Sequence, residues 1–437
     1  MKSTNSLAAR FTIAKFRWIV AGLLLFSTMI NYTDRVTLSV LIGSIQRDLG
    51  LNDFDYSQVL AIFLFSYAVM YAISGYVVDR LGTRRGFAIF AFGWSVSQML
   101  HGLISSKWSL AGCRFLLGLS EPGNFPAATK AIREWFPVGE RALGVGIFNA
   151  GSSLGAALAS PLAAGLAVRF GWRAAFLFTG ALGLVWLGFW LLLYQPPFYS
   201  RWLSPGERAT VQPPSKLPKR IAGPSPWSKL LHNRACLILM LVRFLSDPVI
   251  YFVIFWLPAY LEKERHFDLA TIGRYAWMPY VFGDVGYIAG GWLSGWLIKR
   301  GFTLSSARKG AMAVGACLLP AAILAPLVQA PGAAIAAMCV VVFGNAVWVA
   351  NLLTLPADLF EEAAVGTGAG LAGMAGSFGG ILANIAIGYV VSRFSYLPVF
   401  VLAGVVHPIS VLLIYRLIPA KSFIVQNPSI QETASAF

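Results

Sequence analysis

Apolar stretches long enough to cross a bilayer recur along the whole chain and constrain its fold more than any other feature. A helix needs roughly 20 residues to span the hydrocarbon core. We predict twelve spans, at 18–40, 56–78, 87–105, 108–131, 141–167, 173–194, 236–261, 270–298, 309–328, 332–356, 364–391 and 396–418. Hydrophobic residues make up 57% of the 437 residues and charged residues only 12%, too few charges for a water-soluble surface. The chain is therefore predicted to be an all-α membrane protein.

The net charge of +16 reflects basic loops between the apolar spans. No basic stripe with interleaved aromatic residues occurs outside the spans, so we exclude nucleic acid as a partner. Arg80, Arg84 and Arg85 follow the second span, where the positive-inside rule predicts a cytoplasmic loop. The loop with Asp358 and Glu361 disagrees with this assignment, although acidic residues weigh little in the rule. We predict that both termini are cytoplasmic.

One long polar stretch divides the spans into two sets of six. The predicted organisation is an N-terminal tail at 1–17, a six-helix bundle at 18–194, a cytoplasmic linker at 195–235, a second six-helix bundle at 236–418 and a C-terminal tail at 419–437. The linker is rich in proline and basic residues, a composition typical of an extended connection.

The two predicted bundles are related in sequence. Gly75–Arg80 recurs loosely as Gly295–Arg300, and Arg169-Phe170 recurs as Arg393-Phe394, at a nearly constant offset of 220 to 225 residues. Two such halves in parallel order flank a midplane site in transporters whose bundles rock against each other. The repeat therefore predicts twelve helices in two pseudo-symmetric halves.

The loop after the second span is a candidate cytoplasmic gate. Asp79 can pair across neighbouring helix ends, Gly82 and Gly86 allow a tight turn, and Arg80 and Arg84 can reach lipid or the partner bundle. An ordinary positive-inside loop would explain the arginines but not the aspartate and glycines. We predict that this loop helps to hold an outward-facing state.

Four charged residues inside apolar spans give the strongest functional signal. Each charge costs on the order of 3 kcal/mol at the bilayer centre, so Asp34, Arg35, Arg114 and Glu121 require compensation. Arg114 and Glu121 are seven residues apart, two helical turns, and are predicted to share a helix face. An arriving carboxylate would compete for an arginine and favour protonation of the displaced acid. A permanent structural salt-bridge network is the alternative.

The second bundle carries further charged residues in its apolar spans, among them Arg243, Asp247 and Asp284. Arg243 and Asp247 are one turn apart, so they can pair with each other as a structural unit. Asp284 has no partner nearby in the sequence, and its role stays open. His101 and His407 lie near predicted span ends, and we expect them to be interfacial.

Polar and aromatic residues on other spans could line a solute site. Hydroxyl and amide groups suit a polyhydroxylated solute, and an aromatic face suits its carbons. Each residue alone could instead form a hydrogen bond between helices. The candidates are Tyr67, Tyr71, Asn149, Ser152, Ser153, Trp348, Asn351 and Asn384.

Several of these motifs together resemble the anion:cation symporter branch of the major facilitator superfamily. The resemblance lies in Asn31–Arg35, Gly75–Gly86, Arg114–Pro126, Glu134–Pro137 and Arg243–Pro248, and it extends over nearly the whole chain. Within that branch, the chain is similar to bacterial transporters of hexuronates and of related sugar acids such as galactonate.

The resemblance implies import of a sugar acid, a hexuronate or an aldonate, by proton symport across a bacterial inner membrane. It implies that Asp34 and Glu121 exchange the protons, that Arg35 binds the substrate carboxylate, and that Arg114 pairs with the acids or the substrate. The alternatives are an organic-anion exchanger or exporter of the same fold, or a sugar-acid sensor that does not transport.

The sequence favours no enzymatic activity. It contains no phosphate-binding Gly-x-x-x-x-Gly-Lys-[Ser/Thr] motif, no nucleophile with its base and no metal-ligand cluster. We therefore expect no cofactor other than the coupling proton and no metal. The expected partners are the small carboxylate substrate and the lipid bilayer, with a monomeric chain.

Overall fold

The computed structural model describes residues 15–203, 226–265, 275 and 277–424. Its helices are α1 (Arg17–Leu49), α2 (Asp53–Leu81), α3 (Thr83–Leu100), α4 (Lys107–Ser120), α5 (Asn124–Trp135), α6 (Arg141–Phe170), α7 (Trp172–Leu193), α8 (Pro226–Leu231), α9 (Arg234–Lys263), α10 (Met278–Lys299), α11 (Leu304–Leu318), α12 (Ala321–Leu327), α13 (Pro331–Leu352), α14 (Leu355–Leu359), α15 (Val365–Arg393) and α16 (Leu397–Leu417). Most of the two predicted tails and of the predicted linker, and the first residues of the predicted span 270–298, lie outside the described residues.

Three of the predicted continuous spans are each built from two helices. The fourth is interrupted between α4 and α5 at Pro122, the ninth between α11 and α12 at Pro320, and the tenth between α13 and α14 near Pro356. Proline lacks a backbone N–H and restricts the residue before it, so a helix ends or restarts there. Glu121 is the residue after the last turn of α4 and begins a 3-10 turn, and it lies within electrostatic range of Arg114.

Eight helices within the described residues are long and apolar enough to cross a membrane, judged by length and composition. Helices α1, α3, α4 and α10 are not among them. Helix α4 has only 14 residues, whereas α1 and α10 are longer and carry Asp34 and Asp284, and charged residues lower the mean hydropathy of a helix.

Helix ends follow local sequence signals. Helix α1 ends at Gly50, whose φ of 66° is accessible to glycine at little cost. Helix α2 begins with a capping box, in which the Asn52 side chain accepts a hydrogen bond from the Asp55 N–H at 2.9 Å. These signals place the connection between α1 and α2 within a few residues.

Helices α1 to α7 form an N-terminal half and helices α9 to α16 a C-terminal half. A ladder of aromatic rings packs within the N-terminal half, where Trp190 stacks on Tyr194 with 4.0 Å between centroids and on Trp186 with 5.5 Å. Phe87 lies against both tryptophans. This aromatic core joins α3 to α7.

The first and last described residues lie at the same end of the helices. Arg17 pairs with Glu140 at 2.8 Å, just before α6, and the Ile424 N–H donates to the Asp358 carbonyl at 2.8 Å, at the end of α14. We call this the terminal end of the molecule, and the opposite end the far end.

The two halves meet along two tightly packed helix pairs, which we call seams. Helices α2 and α15 form one seam, where Gly75 faces the backbone of Gly366. Helices α6 and α10 form the other, where a Cβ on Gly291 would lie 2.6 Å from the Ala142 carbonyl carbon. Only glycine permits backbones to approach this closely. The residues at both contacts lie toward the terminal end, so the halves are closed together there.

Candidate functional site

Arg35 and Glu121 form an ion pair in the N-terminal half. The Arg35 guanidinium donates from Nε and Nη2 to Glu121 Oε2, at 3.1 and 2.9 Å. The Glu121 side chain is fully buried, whereas the Arg35 side chain retains 24% of its exposure. The 3-10 turn at Pro122 places the glutamate beside α1. A guanidinium has five N–H donors, so the exposed part of Arg35 can also bind a second anion.

Aromatic rings surround the Arg35 guanidinium. Its central carbon lies 4.7 Å from the Tyr67 ring centroid, 4.9 Å from that of Tyr32 and 5.7 Å from that of Phe63. Tyr251 of the C-terminal half lies within electrostatic range of both Arg35 and Tyr32. Arg35, Tyr32 and Tyr251 are partly exposed, whereas Phe63 and Tyr67 are buried. We call the region between the two halves at these residues the central opening.

Asp34 and Arg114 lie behind this pair. Both are buried, with relative exposures of 0% and 1%, and each lies within electrostatic range of the other and of Glu121. Neither Asp34 oxygen has a hydrogen-bond partner among the described residues, and the same holds for Nε and Nη2 of Arg114. Among these four charged residues, the structure shows direct hydrogen bonds only between Arg35 and Glu121.

Polar groups of α3 and α7 pack beside Asp34. The Gln98 amide donates to the Thr179 hydroxyl at 2.9 Å and to the Asp34 carbonyl at 3.4 Å. His101 is fully buried and stacks on Phe176 with 5.2 Å between centroids. It lies directly after the end of α3, and its position at the membrane interface stays a prediction. The helical turn at His101 folds under α7, which removes it from the surface.

Arg243 and Asp247 form the predicted pair one turn apart, with 2.6 Å between Nη2 and Oδ2. The Arg243 guanidinium lies 5.8 Å from the Tyr71 ring centroid, so this pair meets the N-terminal half. Tyr71 in turn lies edge-on to Tyr67 at 5.6 Å. Tyr67 and Tyr71 thus connect Arg35 of one half to Arg243 of the other.

The other predicted lining residues bond mainly to helices. Asn149 donates to Val145 of its own helix, and Ser152 donates to the Asn149 carbonyl. Asn351 is fully buried and donates to the Gly290 carbonyl at 3.0 Å. Trp348 is also fully buried, 5.2 Å from the His407 ring, which is itself buried. In this conformation the structure does not bring Trp348 and Asn351 to Arg35.

Asp79 is the part of the predicted gate that joins the two halves. Its carboxylate accepts hydrogen bonds from the backbone N–H groups of Gly366 at 3.1 Å and Thr367 at 2.6 Å, in the first turn of α15. It also pairs with Lys130 of α5 at 2.7 Å. A carboxylate at a helix N-terminus is favoured by the unpaired N–H groups there.

Arg80 and Arg84 do not cross between the halves in this structure. Arg80 is exposed and donates to the Tyr76 hydroxyl of its own helix at 2.6 Å. Arg84 donates to the Leu191 carbonyl of α7 within the same half. Of the two predicted partners for these arginines, the partner bundle is not contacted here, because both side chains find partners in the N-terminal half; contact with lipid stays a prediction.

A second gate contact was absent from the sequence predictions. Asp358 pairs with Arg141 of the N-terminal half at 3.0 Å and with Arg308 at 2.8 Å, and all three side chains are buried. Arg308 also donates to the Val138 carbonyl at 2.8 Å, and Arg133 donates to the Ala357 carbonyl. The sequence signal was the acidic Asp358 in a loop expected to be basic.

No group of three or more potential metal ligands occurs within the part of the chain that the structure describes. The site consists of charged groups. Arg35 and Glu121 form an ion pair at the central opening, and Arg114 and Asp34 lie behind them with atoms that have no hydrogen-bond partner among the described residues. Such a set can exchange a bound anion and protons without a metal ion.

Sequence comparison gives relatives that match most of the chain. It is 32% identical over 413 residues to a hexuronate transporter of Escherichia coli (strain K12), which covers 94% of this chain and 95% of that protein. It is 36% identical over 317 residues to a galacturonate transporter of Dickeya chrysanthemi, with 71% and 90% covered. These relatives agree with the resemblance found in the motifs.

The fold is similar to that of a solved proton:xylose symporter, XylE bound to 6-bromo-6-deoxy-D-glucose. The TM-score is 0.69 at 16% identity, with 92% of this chain and 96% of the other covered. The predicted fold class is thereby confirmed. A family model described as Major Facilitator Superfamily matches residues 24–384. The chain is a multi-pass membrane transporter and belongs to the Major Facilitator Superfamily.

Proposed function

We propose that this chain imports a sugar acid, a hexuronate or an aldonate, together with protons by alternating access. The single observation that carries the proposal is the Arg35–Glu121 pair, in which the cation is partly exposed and the anion fully buried. A solute carboxylate reaching the central opening meets the arginine first. The transport of hexuronate and galacturonate by similar proteins supports the same substrate class.

Substrate binding is coupled to protonation through this pair. The incoming carboxylate takes hydrogen bonds from Arg35 that otherwise go to Glu121. A buried carboxylate that loses its cation is costly, and a proton on Glu121 removes that cost. Asp34, buried beside Arg114 with no hydrogen-bond partner among the described residues, is the second proton site. The solute and the protons therefore bind most favourably together.

Alternating access follows from the two seams. The contacts of Asp79 and Asp358 hold the terminal end closed while Arg35 stays partly exposed in the central opening. When substrate and protons neutralise the site, the halves can rock so that the terminal end opens and the far end closes. No nucleotide is needed, because the proton gradient supplies the driving force.

We place the chain in a bacterial inner membrane with both termini cytoplasmic. The terminal end carries exposed basic residues, including Arg80, Arg85 and Lys299, as the positive-inside rule requires of a cytoplasmic face. The chain works as a monomer in the lipid bilayer. It needs no cofactor beyond the coupling proton.

The test is uptake of radiolabelled hexuronates and aldonates into proteoliposomes, with and without an inward proton gradient. Wild-type protein should accumulate at least one of them only with the gradient. Arg35→Ala should lose uptake and exchange, because the substrate carboxylate has lost its cation. Glu121→Gln should lose accumulation but keep counterflow, since glutamine holds the shape but cannot exchange a proton.

Arg173→Ala is the matched control for Arg35→Ala. Arg173 also pairs with an acid, Asp48 at 2.7 Å, but both side chains are 44% exposed and outside the site. Its removal should leave uptake unchanged. Gradient-independent exchange of sugar acids would instead indicate an exchanger. Binding without counterflow would indicate a sensor, and no response to any sugar acid would reject the proposed substrate class.

A further inference from the structure

Asp284 of α10 is a carboxylate that the transport mechanism above does not use. It is partly exposed, and its Oδ1 atom is buried without a hydrogen-bond partner in the described part of the chain. Ser153 of α6 lies close to the same carboxylate. An ionised carboxylate only accepts hydrogen bonds, so Oδ1 lacks a donor. A buried acceptor left in this state is unfavourable and calls for a donor from a bound molecule.

The position of Asp284 follows from the packing of its seam. From the terminal end, Gly295 faces Gly139, Gly291 faces Ala142, and the Tyr287 carbonyl faces Gly146. Asp284 is one turn further along α10, where it faces Ser153. The glycines that bring the backbones together are replaced there by two polar side chains. Asp284 and Ser153 therefore lie where the α6–α10 seam gives way to the central opening.

Asp284 and Arg35 belong to opposite halves and are linked through Tyr32 and Tyr287. Tyr32, whose ring lies against Arg35, is within electrostatic range of the Tyr287 hydroxyl. Asp284 is within the same range of Tyr287, one turn away on α10. A solute held by its carboxylate at Arg35 would therefore extend its other end toward Asp284 and Ser153.

Resting on the proposed function, the geometry points to Asp284 as the residue that selects sugar acids with one carboxylate over those with two. The distal end of an aldonate or a hexuronate presents hydroxyl groups, which donate to Asp284 and exchange hydrogen bonds with Ser153. An aldarate presents a second carboxylate at that end, which supplies no donor and is repelled by the like charge. Such repulsion against the wrong ligand is a common source of specificity.

Counterflow in proteoliposomes tests this selection without depending on proton coupling. Labelled galacturonate is exchanged, and unlabelled galactonate and galactarate compete. Wild-type protein should be inhibited by galactonate at concentrations at least roughly tenfold lower than by galactarate, as expected for a like-charge penalty. Asp284→Asn keeps the size of the side chain and adds hydrogen-bond donors, so galactarate should inhibit at lower concentrations. The ratio of the inhibitory concentration of galactarate to that of galactonate should fall about tenfold.

Two further variants separate charge from packing. Ser153→Ala keeps the carboxylate, so it should weaken both competitors by a similar factor and leave the ratio unchanged. If Asp284→Asn does not accumulate in the membrane, Asp284→Ser provides the same removal of charge with a hydroxyl in its place. An unchanged ratio in an exchanging Asp284 variant would overturn the inference alone. Absence of sugar-acid exchange in the wild type would overturn the proposed function and this inference together.

Discussion

Asp79 on α2 accepts two hydrogen bonds from Thr367 on α15, one from the backbone N–H at 2.6 Å and one from the hydroxyl at 2.7 Å. The two residues belong to opposite halves and are 288 positions apart in sequence. Their contact closes the α2–α15 seam at the terminal end. Because the acceptor is a carboxylate, the strength of this closure depends on one charge.

Asp79→Asn should open the terminal end. The amide is of similar size but gives up the charge-assisted hydrogen bonds to α15 and the ion pair with Lys130. A loss of about 2 kcal/mol would raise the ratio of open to closed molecules roughly 30-fold. Spin labels at exposed Arg85 and Glu361, one in each half, would report this as a longer distance by pulsed electron resonance.

Arg80→Ala is the control for that measurement, because Arg80 bonds to Tyr76 in its own helix. It should leave the distance distribution unchanged. Equal distributions for Asp79→Asn and the wild type would contradict the role assigned to Asp79.

Asp358→Asn should lower stability more than neutralising an exposed acid does. Arg141 and Arg308 would stay buried with their shared anion gone, which typically costs about 3–5 kcal/mol. Asp48→Asn breaks the half-exposed pair with Arg173 and should cost no more than about 1 kcal/mol. Thermal unfolding in detergent would compare them, and similar unfolding temperatures would argue against a buried network at Asp358.

Arg35→Lys should weaken substrate binding although the positive charge is kept. Lysine cannot present the two nitrogens with which Arg35 contacts Glu121, and a planar fork suits a carboxylate better than an ammonium. We expect a KM for counterflow higher by on the order of tenfold. Arg173→Lys should leave KM unchanged, and an unaltered KM for Arg35→Lys would show that charge alone suffices.

Gly146→Ala should force the α6–α10 seam apart. An added Cβ would lie 2.9 Å from the Tyr287 carbonyl carbon and closer still to its oxygen, so the helices must separate. Gly165 lies on the same helix with nothing within 4 Å of such a Cβ, so Gly165→Ala is the matched control. The spin-label distance should lengthen only for Gly146→Ala. Lengthening for both would attribute the effect to helix propensity instead.

The sequence was most informative where physical constraints are local or strong. Apolar length predicted the spans, and the cost of charge in a bilayer identified Asp34, Arg35, Arg114 and Glu121 before any geometry was known. The i, i+4 spacing likewise predicted the Arg243–Asp247 pair, because a helix fixes that distance.

What the sequence could not supply was the pairing between distant segments. Asp358 meets Arg141 across 217 positions, and no local sequence pattern predicts a contact between residues so far apart. Arg80 and Arg84 lie in a sequence motif that predicts gate residues, yet their side chains form hydrogen bonds within the N-terminal half. Which way Trp348 and Asn351 face depends on the rotation of their helix about its axis. The sequence does not specify that rotation, because an apolar span has only weak hydrophobic periodicity.

Each seam has its own carboxylate, Asp79 on one and Asp358 beside the other, and α5 links the two. Lys130 binds Asp79 while Arg133, one turn later, donates to the Ala357 carbonyl next to Asp358. Movement of α5 away from either acid would therefore disturb the other. Groups that share one network are not energetically additive. The terminal end should consequently open in a single cooperative step. An intermediate with only one seam open, through which protons could leak, should not be populated.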